Sequence, residues 1–169
     1  VGTGATFTVN QSDIVTQGID FSSAPITGLG GIAQAGPGMT VLTANNSYTG
    51  PTTVSAGTLV ADRNVGSINA LSSSAVDIAS GATMEINVLK ISNVTDTIVN
   101  TFTGSGLLKL DFAANTTAKN TGLSGLTGFN GTVELISSGV TGDKLTVTGL
   151  SAPNTSIVVN SGQSIANNS

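Results

Sequence analysis

Residues 83–88 read Thr-Met-Glu-Ile-Asn-Val, and residues 107–112 read Leu-Leu-Lys-Leu-Asp-Phe. Met84, Ile86 and Val88 alternate with Thr83, Glu85 and Asn87; Leu108, Leu110 and Phe112 alternate with Leu107, Lys109 and Asp111. Successive side chains of a strand point to opposite sides, so a period of two means one buried face and one wet face. The pattern recurs in Val76 and Ile78 around Asp77, Val133 and Leu135 around Glu134, Leu145 and Val147 around Thr146, and Ile157 and Val159 around Val158. Each run is short and has Gly, Asn, Ser or Pro nearby, the punctuation of turns between strands. Thr, Val, Gly, Asn and Ser, all neutral or unfavourable inside helices, dominate the rest. The chain is predicted to be all-β.

Sandwiches and up-and-down barrels are built from hairpins with turns such as Asn-Gly, and usually carry large core aromatics. Here the one such dipeptide, Asn130-Gly131, has no clear apolar run just before it, and the inward residues are expected to be Val, Ile, Leu and Ala, uniform in size. Uniform strands separated by small polar turns suit a solenoid whose rungs stack like on like. Residues 1–169 are therefore expected to form one β-helical segment. At about 20–25 residues per coil this gives roughly seven coils, spaced ~4.8 Å apart for a stack on the order of 35 Å. Residues 113–128, AANTTAKNTGLSGLTG, alternate poorly and are expected to leave the stack as a loop. Outward Thr, Ser and Asn would form hydrogen-bonding ladders where stacked like charges would repel, and the two ends would carry unpaired strand edges.

Composition narrows function. Only 8% of the 169 residues are charged, against roughly 25% in ordinary globular proteins. A net charge of −4 with five scattered basic residues excludes an electrostatic nucleic-acid footprint. With no Cys and no His, disulfide frameworks, thiolate zinc sites and every Cys/His or Ser/His/Asp mechanism are excluded. No cofactor is expected. Val1 to Asn10, VGTGATFTVN, shows no basic start followed by an apolar core, and no stretch approaches a membrane helix. The chain reads as a fragment or processed product.

From Gly36 to Ala61 the sequence is GPGMTVLTANNSYTGPTTVSAGTLVA. It resembles the passenger-associated repeat of autotransporters, through Gly36, Gly38, Leu42-Thr43, Asn46, Tyr48-Thr49-Gly50, Thr52-Thr53-Val54 and Ala56-Gly57-Thr58-Leu59. Gly36 and Gly38 permit a tight turn into a strand, and Leu42, Val54 and Leu59 are core candidates. Asn46 is placed to satisfy turn backbone; Tyr48 and Gly50 would mark a corner, and Gly57 the next turn. Thr40 departs from the family's inward Leu, Met39 and Val41 stand where Thr is common, and Pro51 replaces a small residue. Residues 104–110 echo the opening half of the repeat, and residues 129–135 its Tyr-Thr-Gly half. The resemblance implies a single-stranded, right-handed parallel β-helix from the exported passenger of a Gram-negative surface protein. It also implies a membrane-embedded C-terminal β-barrel translocator in cis, and a stalk with adhesive, self-associating, toxic or enzyme-carrying roles. The implied partners are a host-cell surface or another copy of the chain.

Other chemistry finds less support in the residues. β-Helical polysaccharide enzymes use paired carboxylates, and Asp77 and Glu85 are placed where adjacent strands could bring them together; Asp62, Asp111 and Glu134 are further outward acids. Such clefts want aromatic platforms, and there is one Tyr and no Trp. Calcium loops are missing: Gly30-Gly31 is followed by Ile32-Ala33-Gln34. Thr-x-Thr pairs at Thr6/Thr8, Thr95/Thr97, Thr101/Thr103 and Thr146/Thr148 lack the constant spacing of an ice-binding face. Asn-x-Ser/Thr sequons match what this composition produces by chance. The reading is a non-enzymatic passenger segment, a stalk whose Thr/Asn/Ser ladders dock side by side through many weak contacts.

Overall fold

The computed structural model describes residues 1–63, 70–73, 75–87, 96–112, 120–136, 143–148, 154–159 and 163–168, and every regular element among them is a strand. Sheet A holds Thr6–Val9, Gly31–Gln34, Thr52–Val54, Ala75–Ile78, Thr101–Gly104 and Gly128–Phe129. Sheet B holds Ile14–Thr16, Met39–Leu42, Thr58–Ala61, Thr83–Asn87, Leu107–Asp111, Thr132–Ile136 and Ser156–Val159. A third face carries first the pair Thr27–Gly28 and Ser47–Tyr48, and higher up sheet C, made of Asp96–Ile98, Asn120–Leu123, Asp143–Thr148 and Gln163–Asn168. Every strand pairing is parallel.

The chain visits A, B and the third face in turn and lands one rung along. Thr58 pairs with Thr83, Thr83 with Leu107, Leu107 with Thr132 and Thr132 with Ser156, offsets of 25, 24, 25 and 24 residues. Between Met39 and Thr58 the offset tightens to 19. The result is a β-solenoid: among the described residues seven strands stack in sheet B, and about five turns carry strands on all three faces.

In-register parallel pairing places like residues above one another, because a parallel ladder keeps the pleat in phase from rung to rung. Val15, Thr40, Leu59, Met84, Leu108, Val133 and Ile157 form one inward column of sheet B. Leu42, Ala61, Ile86, Leu110, Leu135 and Val159 form the next. Phe7, Ile32, Thr52, Val76 and Phe102 line sheet A, and Ile98, Leu123 and Val147 line sheet C. Most of these are fully buried in one continuous core, each large aliphatic side chain contributing about 1.5–3 kcal/mol.

One expectation is corrected in part. Of residues 113–128, the first seven lie outside the described residues, but Asn120–Leu123 is a strand seated between Asp96–Ile98 and Asp143–Thr148. Asn-Thr-Gly-Leu has one large apolar residue, too little for an alternation signal; its two neighbouring strands supply the ladder that fixes it.

Candidate functional site

The A-to-B corner is built from glycine because successive turns lie almost in contact. A Cβ on Gly36 would come within 2.3 Å of the Gln11 backbone, and one on Gly38 within 2.2 Å of the Asp13 carbonyl. Gly57 sits above both at φ +60°, where a Cβ would meet the Gly38 carbonyl oxygen at 2.2 Å and that of Gly36 at 2.5 Å. Further along, Gly131 stacks on the Gly106 carbonyl in the same way.

Inside this corner lies a buried polar pair. Gln34, on sheet A between Val9 and Val54, donates from Nε2 to the carbonyls of Gly36 (2.8 Å) and Gly38 (3.3 Å). Thr40, on sheet B between Val15 and Leu59, donates its hydroxyl to Gln34 Oε1 at 2.5 Å. Both residues are buried. The Thr that departs from the repeat's usual Leu is thus answered by a Gln that the sequence reading missed; no local pattern marks a Gln whose partner lies round a corner.

A second polar seam runs along the third face. Asn46 Oδ1 accepts from the Ile26 backbone N–H (2.8 Å) and from Gln17 Nε2 (3.0 Å), while its Nδ2 donates to the Ala70 carbonyl one coil on (2.9 Å). Gln17 Oε1 in turn accepts from the backbone N–H groups of Thr43 and Ala44. Two buried amides therefore satisfy backbone groups in three successive coils, where open turns leave no ladder to do so. Tyr48 is fully buried, its hydroxyl 2.8 Å from Thr52 Oγ1. Burial pushes the phenol up to about 12, against the opposing effect of hydrogen bonds with Thr52 and the Ser73 backbone. Gly50 follows because a Cβ there would run into the Gly30 backbone at 2.4 Å. Leu42, Val54 and Leu59 lie in the core.

The outward surfaces differ from face to face. On sheet A the column Thr8, Ala33, Thr53, Asp77, Thr103 and Gly128 is flat and small, with Thr103 Oγ1 donating to Asp77 Oδ1 at 2.7 Å. On sheet B the column runs Thr16, Val41, Val60, Glu85, Lys109, Glu134 and Val158. Charges do stack there, but they alternate. Lys109 Nζ meets Glu85 Oε2 at 2.8 Å, and this hydrogen bond raises the ammonium pKa against a smaller desolvation effect. The Thr-x-Thr pairs make no array among the described residues: Thr6/Thr8 and Thr101/Thr103 lie on sheet A with Gly31/Ala33 and Ala75/Asp77 between them, and Thr146/Thr148 lies on sheet C. Nor do Asp77 and Glu85 come together. Asp77 is on sheet A and Glu85 on sheet B.

Residues 32–61 match the family described as Passenger-associated-transport-repeat. The match begins four residues before Gly36 and so takes in Gln34. The repeat match and the parallel solenoid support an autotransporter passenger, a class exported to the cell surface or the extracellular space, and such a passenger implies a translocator domain in cis. Over 40 residues the chain is 60% identical to the adhesin BmaC autotransporter of Brucella suis biovar 1 (strain 1330), a match covering 24% of this chain and 1% of that protein. No solved structure matches.

Proposed function

We propose that this segment is a non-enzymatic length of passenger stalk whose outer sheet A face adheres to a host-cell surface or to another copy of itself. The observation that carries the reading is the flat column of Thr8, Ala33, Thr53, Asp77, Thr103 and Gly128. No side chain in it exceeds Thr or Asp in size, so a second flat surface can approach along five rung spacings. Each hydroxyl contact is worth little, but repetition along a rigid rod multiplies weak contacts into avidity. An adhesin's name on the partial relative supports the same direction. A carbohydrate-cleaving reading draws no support from the acids, since Asp77 and Glu85 stand on different sheets and Glu85 is engaged by Lys109.

The test uses cells that display the full-length protein. Thr8, Thr53 and Thr103 are replaced together by Lys, which leaves the inward columns untouched. Clumping and attachment to host cells are expected to fall sharply while surface display is unchanged. Normal clumping and attachment by the triple variant would show that this face is not the contact surface.

A further inference from the structure

At one level of the third face the described residues include no strand. Its lower pair ends with Ser47–Tyr48 and sheet C starts with Asp96–Ile98; the turn between them supplies Ala70–Ser73, which has no strand geometry. Side chains span the gap in place of a ladder. Asn46 Nδ2 donates to the Ala70 carbonyl, Ser72 Oγ to the Tyr48 carbonyl at 2.7 Å, and Asn100 Nδ2 to the Ser73 carbonyl.

At this break a cavity of about 220 Å³ opens into the solenoid. Leu71, Ile86 and Ile98, all buried, give it an aliphatic interior; Arg63, Ser72 and Asn100 supply polar groups; Thr97 and Val99 are exposed lining residues. At ~30 Å³ per water, the space equals about seven waters, enough for a molecule of a few carbons and too small for a polymer chain to thread. Among the described residues its lining includes one arginine, Arg63, and no acidic residue. Arg63 also has a partner within the chain, and its five N–H donors in a planar fork can serve a second acceptor.

We propose that this cavity binds a short branched aliphatic carboxylate, with its alkyl end on Leu71, Ile86 and Ile98 and its carboxylate on Arg63. Such a group reaches the site either as a free short-chain acid or as the C-terminal carboxylate of a peptide ending in Val or Leu. The chemistry is the common one of small-molecule pockets, a mainly apolar enclosure with a few polar groups that fix orientation. It is independent of the adhesive reading of sheet A.

The experiment is calorimetric titration of the 169-residue chain with isovalerate, with isovaleramide, and with a tripeptide ending in Leu as free acid and as amide. Saturable binding of at least one acid is expected, its amide at least about tenfold weaker. Arg63→Gln is expected to abolish that preference, and Thr97→Trp, placed on an exposed lining residue, to block binding while the chain stays folded by circular dichroism. A tighter free acid assigns the small molecule as the source, and a tighter peptide acid assigns a chain terminus. No saturable binding of either acid, or acid binding unchanged in both variants, would overturn the proposal.

Discussion

Tyr48 is the one tyrosine of a chain without tryptophan, so its ionisation can be followed by tyrosinate absorbance with nothing overlapping it. The folded phenol is held up to about 12 by burial, whereas an unfolded one titrates near 10. Because the folded chain binds this proton more tightly, the stabilisation is whole below about pH 10 and is lost as the pH rises through 12. Tyrosinate should appear near pH 12 in buffer and near pH 10 in denaturant, and conformational stability should decline between those values. Lys109, whose pKa is raised mainly by its hydrogen bond to Glu85, acts in the same alkaline direction. A tyrosinate midpoint near 10 in the native chain would mean the ring is not buried. The Gln34–Thr40 pair can be tested as sharply. Thr40→Val removes the donor to Gln34 Oε1 and strands a buried carbonyl, which should cost about 1–3 kcal/mol in denaturant unfolding. Gln34→Leu should cost at least as much, since the Gly36 and Gly38 carbonyls lose their amide. The double variant should show coupling of about 1 kcal/mol, where independent sites would simply add.

Among the elements, the A-to-B turns carry the tightest geometric demand. Gly57→Ala places a Cβ against the Gly38 and Gly36 carbonyls from a backbone at φ +60°. That combines left-handed strain of about 1–2 kcal/mol with displacement of the turn beneath. The melting temperature should drop by more than for Gly81→Ala, where φ is +81° but nothing lies within 4 Å of the added carbon. Equal drops would mean that strain alone matters and that turn-on-turn contact does not. These strands were legible in the sequence because a solenoid strand has one face in the core and one in water, so Met84 and Ile86 alternate with Thr83, Glu85 and Asn87, and Leu108 and Leu110 flank Lys109. Parallel pairing was legible indirectly, through the lack of hairpin turns; the expected uniformly aliphatic interior is corrected by Tyr48, Phe102, Phe112 and Phe129, all fully buried in the core. What local pattern cannot encode is register. Glu85, Lys109 and Glu134 are separated by 24 and 25 residues, and only the coil length makes them an alternating-charge column. For the same reason Gln34 and Gln17 were invisible as structural residues, since their partners lie round a corner or 29 residues along the chain. Asn120–Leu123 carries no strand signal of its own because its strand character comes from neighbours above and below rather than from its own four residues.

At the scale of the whole molecule, each strand pairs with strands one coil before or after and with nothing more distant. Stability is then close to a sum of rung terms and nearest-neighbour interfaces, and cooperativity spreads along one dimension. The core columns are not uniform along that axis. Leu59, Met84, Leu108 and Val133 are completely buried, whereas Val15 and Ile157, in the same column, are half-buried and Val159 is 38% exposed. An interior rung has two hydrogen-bonded neighbours and an outermost rung of this chain has one, so local opening should be easiest at the outermost strands. Hydrogen exchange of the 169-residue chain should therefore be slowest in Thr83–Asn87 and Leu107–Asp111, and faster by at least about a hundredfold in Ile14–Thr16 and Ser156–Val159. Truncation should follow the same gradient. Leu108→Ala, with columns closed above and below it, should cost about 2–5 kcal/mol. Val15→Ala removes less carbon from a half-open site and should cost well under half of that. Uniform exchange protection along the chain, or equal costs for the two truncations, would show that the solenoid unfolds as a single block, and that rung-by-rung additivity is the wrong description of how this rod holds its shape.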